Sequence, residues 1–163
     1  TYKEHMTAQE VRDLVGADVW NNYLKITIER NPWDRALSRY WWQKHRWENK
    51  GRAGFPDISN YLRWLEINKP HWITNWGHYT IENCIAVDRI LLFEHLEEEM
   101  RNLSKMLGVE EKLLHLPEEK AKGGFRQDNK RYWELLSDED RTLIERVCWR
   151  EINELGYSFS GNI

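Results

Sequence analysis

The sequence predicts an α/β fold, a parallel sheet flanked by helices and helix-rich overall, and three observations predict it. The segment Tyr23-Leu24-Lys25-Ile26-Thr27-Ile28-Glu29 alternates apolar and polar residues with the period of a strand. Ile85-Ala86-Val87 followed by the compact apolar run Arg89-Ile90-Leu91-Leu92-Phe93 reads as a second, buried strand. Each strand leads into a segment of helical spacing, and the order strand, helix, strand, helix calls for parallel pairing with helices packed on the sheet. Two strands alone make a poor free-standing parallel sheet, because such sheets are covered on both faces and usually hold more strands. The expectation is therefore a sheet incomplete at the N-terminus, with a further strand missing or supplied by another chain.

The elements follow from local signals. Thr7-Ala8-Gln9-Glu10 has the spacing of a capping box, Val11, Leu14 and Val15 form a short apolar stripe, and Gly16 is a plausible stop. After the first strand, Asn31 can cap a helix with Pro32 at its first position, where a missing N–H costs nothing. Trp33, Ala36, Leu37, Tyr40, Trp41 and Lys44 keep helical spacing, and the helix should fade near Lys50-Gly51. Pro56-Asp57 opens another helix with Ile58, Tyr61, Leu62 and Leu65 on one face, and Pro70 prevents its clean continuation. The aromatic stretch His71 to Tyr79 reads as a loop or pocket wall. Leu96, Met100, Leu103, Met106 and Leu107 mark a helix closed by Gly108. A basic, glycine-containing loop covers about Leu116 to Arg131. Ser137 then caps one final helix carrying Leu143, Ile144, Val147, Cys148, Ile152 and Leu155, ended by Gly156.

Bulk properties narrow the function. With 163 residues, 40% hydrophobic and 31% charged, the chain suits one domain, 1–163, with a real core. A net charge of −3 gives no global field for nucleic acid, so an anion site has to be built locally. Cys84 and Cys148 are too few for a disulfide framework, and two core thiols are the plainer reading. No apolar run is long enough to span a bilayer. The histidines at 45, 71, 78, 95 and 115 lack metal-ligand spacing, so no metal site is expected.

The chemistry concentrates in Arg30-Asn31-Pro32-Trp33-Asp34-Arg35-Ala36-Leu37-Ser38-Arg39-Tyr40. Ligands of open parallel sheets bind beyond the carboxyl ends of the strands, which is where Arg30 sits. Its planar fork can grip a phosphate with two N–H bonds, and Ser38, two helical turns on, can donate a hydroxyl to the same group. The helix N-terminus at Pro32 adds a dipole worth about 0.3–1 kcal/mol to a nearby anion. Asp34 and Arg35 can pair with neighbours and hold the turn. The competing reading is an ordinary helix start with a surface ion pair. In Lys120-Ala121-Lys122-Gly123-Gly124-Phe125-Arg126, glycines permit close approach of backbone to phosphate. Lys122 and Arg126 are its candidate ligands, with Phe125 placed to stack on a base; a solvated loop is the plain alternative. Trp41, Trp42, Trp47, Trp64, Trp72 and Trp76 are candidates for a cleft wall, with core packing the simpler reading for those on helical stripes.

This pattern, Arg-Asn-Pro-x-Asp-Arg-x-x-Ser-x-Tyr, resembles the 3′-phosphate motif of sulfotransferases that use 3′-phosphoadenosine 5′-phosphosulfate (PAPS), and most closely the carbohydrate sulfotransferases and their bacterial relatives. Ile90-Leu91-Leu92-Phe93-Glu94-His95-Leu96 is similar to the family's later core strand and following helix, and Glu154-Leu155-Gly156-Tyr157-Ser158-Phe159 to its C-terminal signature. The resemblance implies a P-loop-kinase-like architecture, PAPS as donor, a hydroxyl acceptor on a carbohydrate, and no metal. It implies Arg30 and Ser38 as 3′-phosphate ligands and a basic loop, here Lys122 and Arg126, closing over the nucleotide. It implies His5 as the base that takes the acceptor proton before in-line attack on sulfur, a task suited to imidazole with its unperturbed pKa of about 6.5. The plain alternative for His5 is an exposed residue near a chain end. The family also holds the 5′-phosphosulfate in an N-terminal strand–loop–helix. The 163 residues contain no such segment and no G-x-x-x-x-G-K-[ST] run, so the expectation is a trimmed protein or a form that binds without catalysing. The alternatives are a non-catalytic nucleotide- or glycan-binding module and an ATP-using kinase-like protein; ATP lacks the 3′-phosphate that the motif suits. For compartment, the resemblance implies cytoplasm for a bacterial chain and Golgi lumen for an animal one.

Overall fold

The computed structural model of the chain describes residues 1–110, 114, 125 and 130–160, and its backbone contacts divide into two units, Thr1–Arg30 with Asn75–Leu116 and Asn31–Thr74 with Pro117–Ile163. In chain order the elements are α1 (Ala8–Asn22), β1 (Ile26–Glu29), α2 (Pro32–Glu48), α3 (Ile58–Asn68), α4 (Trp76–Tyr79), β2 (Thr80–Ile81), β3 (Cys84–Ile85), β4 (Arg89–Leu92), α5 (Leu96–Leu107), α6 (Tyr132–Leu135), α7 (Asp138–Val147) and α8 (Trp149–Leu155). Short 3₁₀ turns occupy Pro70–Trp72 and Phe93–His95. The result is a helix-rich α/β structure with a small parallel sheet.

The first unit begins with the capping box expected at Thr7. The Thr7 hydroxyl accepts the Glu10 N–H at 3.2 Å and the Glu10 carboxylate accepts the Thr7 N–H at 2.7 Å. Gly16 interrupts the helix as expected, at φ 82, ψ 164, a conformation open to a residue without Cβ, and a second helical segment of α1 follows this kink as far as Asn22. The strand is correspondingly shorter than Tyr23–Glu29, because Tyr23 is still the C-cap of α1 and gives its N–H to Val19. β1 pairs in parallel with β4, Ile26 opposite Arg89 and Glu29 opposite Leu92.

Two corrections concern the strands. Ile85-Ala86-Val87 is not part of a buried strand: Ile85 ends an antiparallel hairpin of β2 and β3, 43% exposed. Its turn uses Glu82 and Asn83 at φ 51 and 62, the double left-handed geometry that suits a tight hairpin. In β4 only Leu91 is buried. With a sheet of two strands, a side chain is covered only where a helix lies on it, and α5 is the helix packed on β4. α5 closes at Gly108 in the left-handed conformation (φ 65), as its sequence position predicts.

The second unit is helical. Asn31 accepts the N–H groups of Trp33 and Asp34 at 3.1 and 3.3 Å, and its amide donates to the Tyr132 hydroxyl at 3.1 Å. It thereby caps α2 and ties the cap to α6, a short helix that gave no periodic signal in the sequence. Asp57 caps α3 through the Asn60 N–H, and Ser137 caps α7 through Asp140. The final helix is broken: Cys148 (φ −104, ψ 21) separates α7 from α8, and Gly156 (φ 70) closes α8. The core is Trp33, Leu37, Leu62, Leu65, Ile144 and Cys148, all at most 1% exposed. Trp33 anchors it, edge-on to Phe159 at 5.5 Å and stacked on Tyr132 at 6.5 Å. Asn31→Ala should cost about 0.5–2 kcal/mol from the lost cap, read as a lower denaturation midpoint; an unchanged midpoint would show that the cap adds nothing.

Candidate active site

The first unit carries an open cavity of about 570 Å³. Its walls include His5, Trp20, Thr27, Asn75, His78 and Tyr79. Each is held by the chain around it. His5 precedes the Thr7 cap at φ 59, a left-handed conformation that turns the backbone into the helix, and its side chain is exposed. Thr7, through its backbone N–H first and its hydroxyl second, draws the Glu10 carboxyl below its ordinary pKa, which keeps the box charged beside the cavity. Trp20 lies on the part of α1 beyond the Gly16 kink. The Lys25 ammonium sits 5.5 Å from its ring centre, donates to the Trp20 and Tyr23 carbonyls, and pairs with Asp88 at 2.8 Å. Hydrogen bonds from the Lys25 side chain and backbone hold the Asp88 carboxyl below its usual range.

On the opposite side, α4 is pinned at both ends. Asn75 donates to the Glu29 carboxylate at 3.1 Å, and the Thr80 hydroxyl donates to the Trp76 carbonyl at 2.6 Å. Glu29 is 1% exposed and also accepts the Arg30 N–H at 2.9 Å. α4 presents His78 to the cavity, where its ring lies 6.4 Å from that of His5, centroid to centroid, with the planes 55° apart. An imidazole, an amide, a hydroxyl and flat apolar faces around one cavity can receive a hydroxylated ring and take a proton from it.

The other expected residues fall as follows. Arg30 ends the N-terminal segment of the first unit, half-buried, with its guanidinium 4.7 Å from the Phe93 ring centre. Ser38 stands exposed on α2 in the second unit, one turn after Asp34. Lys122 and Arg126 lie outside the described residues; Phe125 is described and stacks on His45 at 4.5 Å. Arg35 does hold its turn, donating to the Ile73 carbonyl at 2.9 Å and to the Glu151 carboxylate at 3.3 Å. The tryptophans singled out in the sequence are divided: Trp76 is core of the first unit, and the other five belong to the second. Trp72 carries the Arg39 guanidinium at 4.3 Å and the Lys69 ammonium at 4.1 Å, and burial presses the Arg39 pKa down. Sequence reasoning missed Trp20, Asn75 and the role of His78. Trp20 lies beyond the stop at Gly16, on the second helical segment, which gave no periodic signal of its own. No cluster of three or more metal-ligating side chains is present among the described residues, and no described helix is long and apolar enough to cross a membrane.

Comparison with known proteins adds two findings. A model described as the sulfotransferase family matches residues 2–158. An uncharacterised protein of Archaeoglobus fulgidus is 32% identical over 114 residues, covering 66% of this chain and 87% of the relative. No solved structure matches.

Proposed function

Because the chain belongs to the sulfotransferase family, whose members draw on PAPS, we propose that it sulfates a hydroxyl of a carbohydrate bound in the cavity beside His5. The observation that carries this reading is the placement of His5, the expected base, on the wall of a cavity that also holds flat aromatic and hydrogen-bonding side chains. Trp20 and Tyr79 offer faces to a sugar ring, and Asn75 and Thr27 offer partners to its hydroxyls. The parallel β1–β4 pair with its helices is compatible with a P-loop-kinase-like sheet.

Bound PAPS would supply the sulfuryl group, the bond from sulfur to the 5′-phosphate breaking as adenosine 3′,5′-bisphosphate leaves. His5 accepts the acceptor hydroxyl's proton at a ring nitrogen as the oxygen becomes nucleophilic. Arg30, at the carboxyl end of the strand whose Ile26 and Thr27 line the cavity, grips the 3′-phosphate with a planar fork. Its guanidinium packs 4.7 Å from the Phe93 ring centre, a contact that stiffens the arginine. Ser38, as a further 3′-phosphate ligand, and Lys122 and Arg126, over the nucleotide, are assigned on sequence grounds. The residues fit an anionic nucleotide in kind: a half-buried arginine beyond a parallel strand and an exposed hydroxyl on the helix that follows.

Calorimetry with adenosine 3′,5′-bisphosphate and with ATP tests the reading. The bisphosphate is expected to bind more tightly, and Arg30→Ala to weaken it by about 1.5–3 kcal/mol, the scale of a hydrogen bond to a charged group. ATP binding as tight as the bisphosphate would overturn the donor assignment. Unchanged affinity in Arg30→Ala would remove Arg30 from the phosphate site.

A further inference from the structure

We infer that His78 is an acceptor-binding residue that holds the hydroxyl neighbouring the one His5 deprotonates, so that the protein selects acceptors with two adjacent hydroxyls. This rests on the reading of His5 as base. Two imidazoles meet across one cavity, their centroids 6.4 Å apart. Ring nitrogens lie roughly 1 Å from the centroid, so even facing nitrogens stand about 4 Å apart, too far for a direct hydrogen bond. That gap fits a pair of neighbouring ring hydroxyls, whose oxygens are about 2.9 Å apart and can each reach one imidazole at about 2.7–3.2 Å.

The two histidines are held differently. His5 is exposed, in a left-handed turn two residues before a helix cap. His78 is half-buried on a helix tied at its start through Asn75 to buried Glu29 and at its end through the Thr80 hydroxyl. A side chain anchored in this way fixes the ligand, while the other is free to exchange a proton with it. A neutral imidazole can both accept and donate, so His78 serves a hydroxyl in either sense.

The test pairs a methyl glucopyranoside with the set of its monodeoxy analogues, against the native protein, His78→Phe and His78→Gln. Phe keeps a flat ring and loses both nitrogens; Gln restores a donor and an acceptor. In the native protein one monodeoxy analogue that retains the sulfated hydroxyl should lose about 10–100-fold in kcat/KM. In His78→Phe that analogue and the parent should react within about twofold of one another, with the parent's loss appearing in KM, and Gln should restore part of the discrimination. Equal discrimination in native and Phe proteins would overturn the inference. Histidine ring NMR gives a readout independent of transfer: the parent sugar should shift the His5 and His78 signals together, and one monodeoxy analogue should leave His78 unmoved. Should no sulfuryl transfer to these sugars occur, the carbohydrate-acceptor reading fails while the NMR titration still decides His78; a sugar that shifts His5 alone would sink the His78 assignment.

Discussion

Replacing His5 with alanine is expected to lower turnover about 10²–10⁴-fold, the usual contribution of a positioned general base, while nucleotide affinity stays unchanged. On the proposed reading the acceptor hydroxyl must then lose its proton to water, whereas the residues assigned to the nucleotide's phosphates are untouched. The backbone complicates the alanine variant, since His5 sits at φ 59. His5→Asn removes this complication, because asparagine tolerates the left-handed region and lacks a basic nitrogen. Both variants should be equally impaired. If Asn restored turnover, the turn and not the imidazole would be what matters; near-native turnover in both would remove His5 from the catalytic role.

The largest expected loss of stability comes from Glu151→Ala. Glu151 is fully buried and accepts the Thr74 hydroxyl at 2.6 Å and the Arg35 guanidinium at 3.3 Å, while Arg35 also donates to the Ile73 carbonyl. Removing the carboxylate takes the Glu151 counter-charge from a half-buried guanidinium and an acceptor from the Thr74 hydroxyl, a change that costs about 3–5 kcal/mol. Urea unfolding measures it. Replacing both partners together, Arg35→Met with Glu151→Leu, should cost less than the two single changes added, because no buried charge is then left alone. A single-variant loss under about 1 kcal/mol would show the pair to be solvated in effect.

Helix boundaries were legible because their chemistry is local. Thr7, Asn31-Pro32, Asp57, Ser137, Gly108 and Gly156 each act on N–H or C=O groups within one turn, and each stands where its residue type predicts. Burial was far less legible. In β1 the alternation is real but its sense is inverted: Ile26 and Ile28 are 45% and 50% exposed, and Glu29 is the buried residue. Asn75, 46 residues away in sequence, supplies the partner that makes a buried Glu29 tolerable, and no local pattern announces it. The same holds for Arg35, readable as a turn-holding residue but not as the partner of Glu151, 116 residues on. At the candidate site, His5 was legible from the resemblance and its place before a cap. His78 belongs to a stretch too short and aromatic to show a period, and only the folded chain sets it opposite His5.

The two cysteine thiols live in different chemical worlds. Cys84 sits exposed in a hairpin arm, and Cys148 is wholly buried at the break between the last two helices, its thiol against the Ile73 carbonyl. Thiol-alkylating reagents therefore meet one cysteine at the surface of the native protein, whereas the other reacts only after the helical unit has opened. A spin label or fluorophore goes onto the hairpin without any cysteine having first to be removed, and a slow second equivalent of modification clocks the unfolding of the helices.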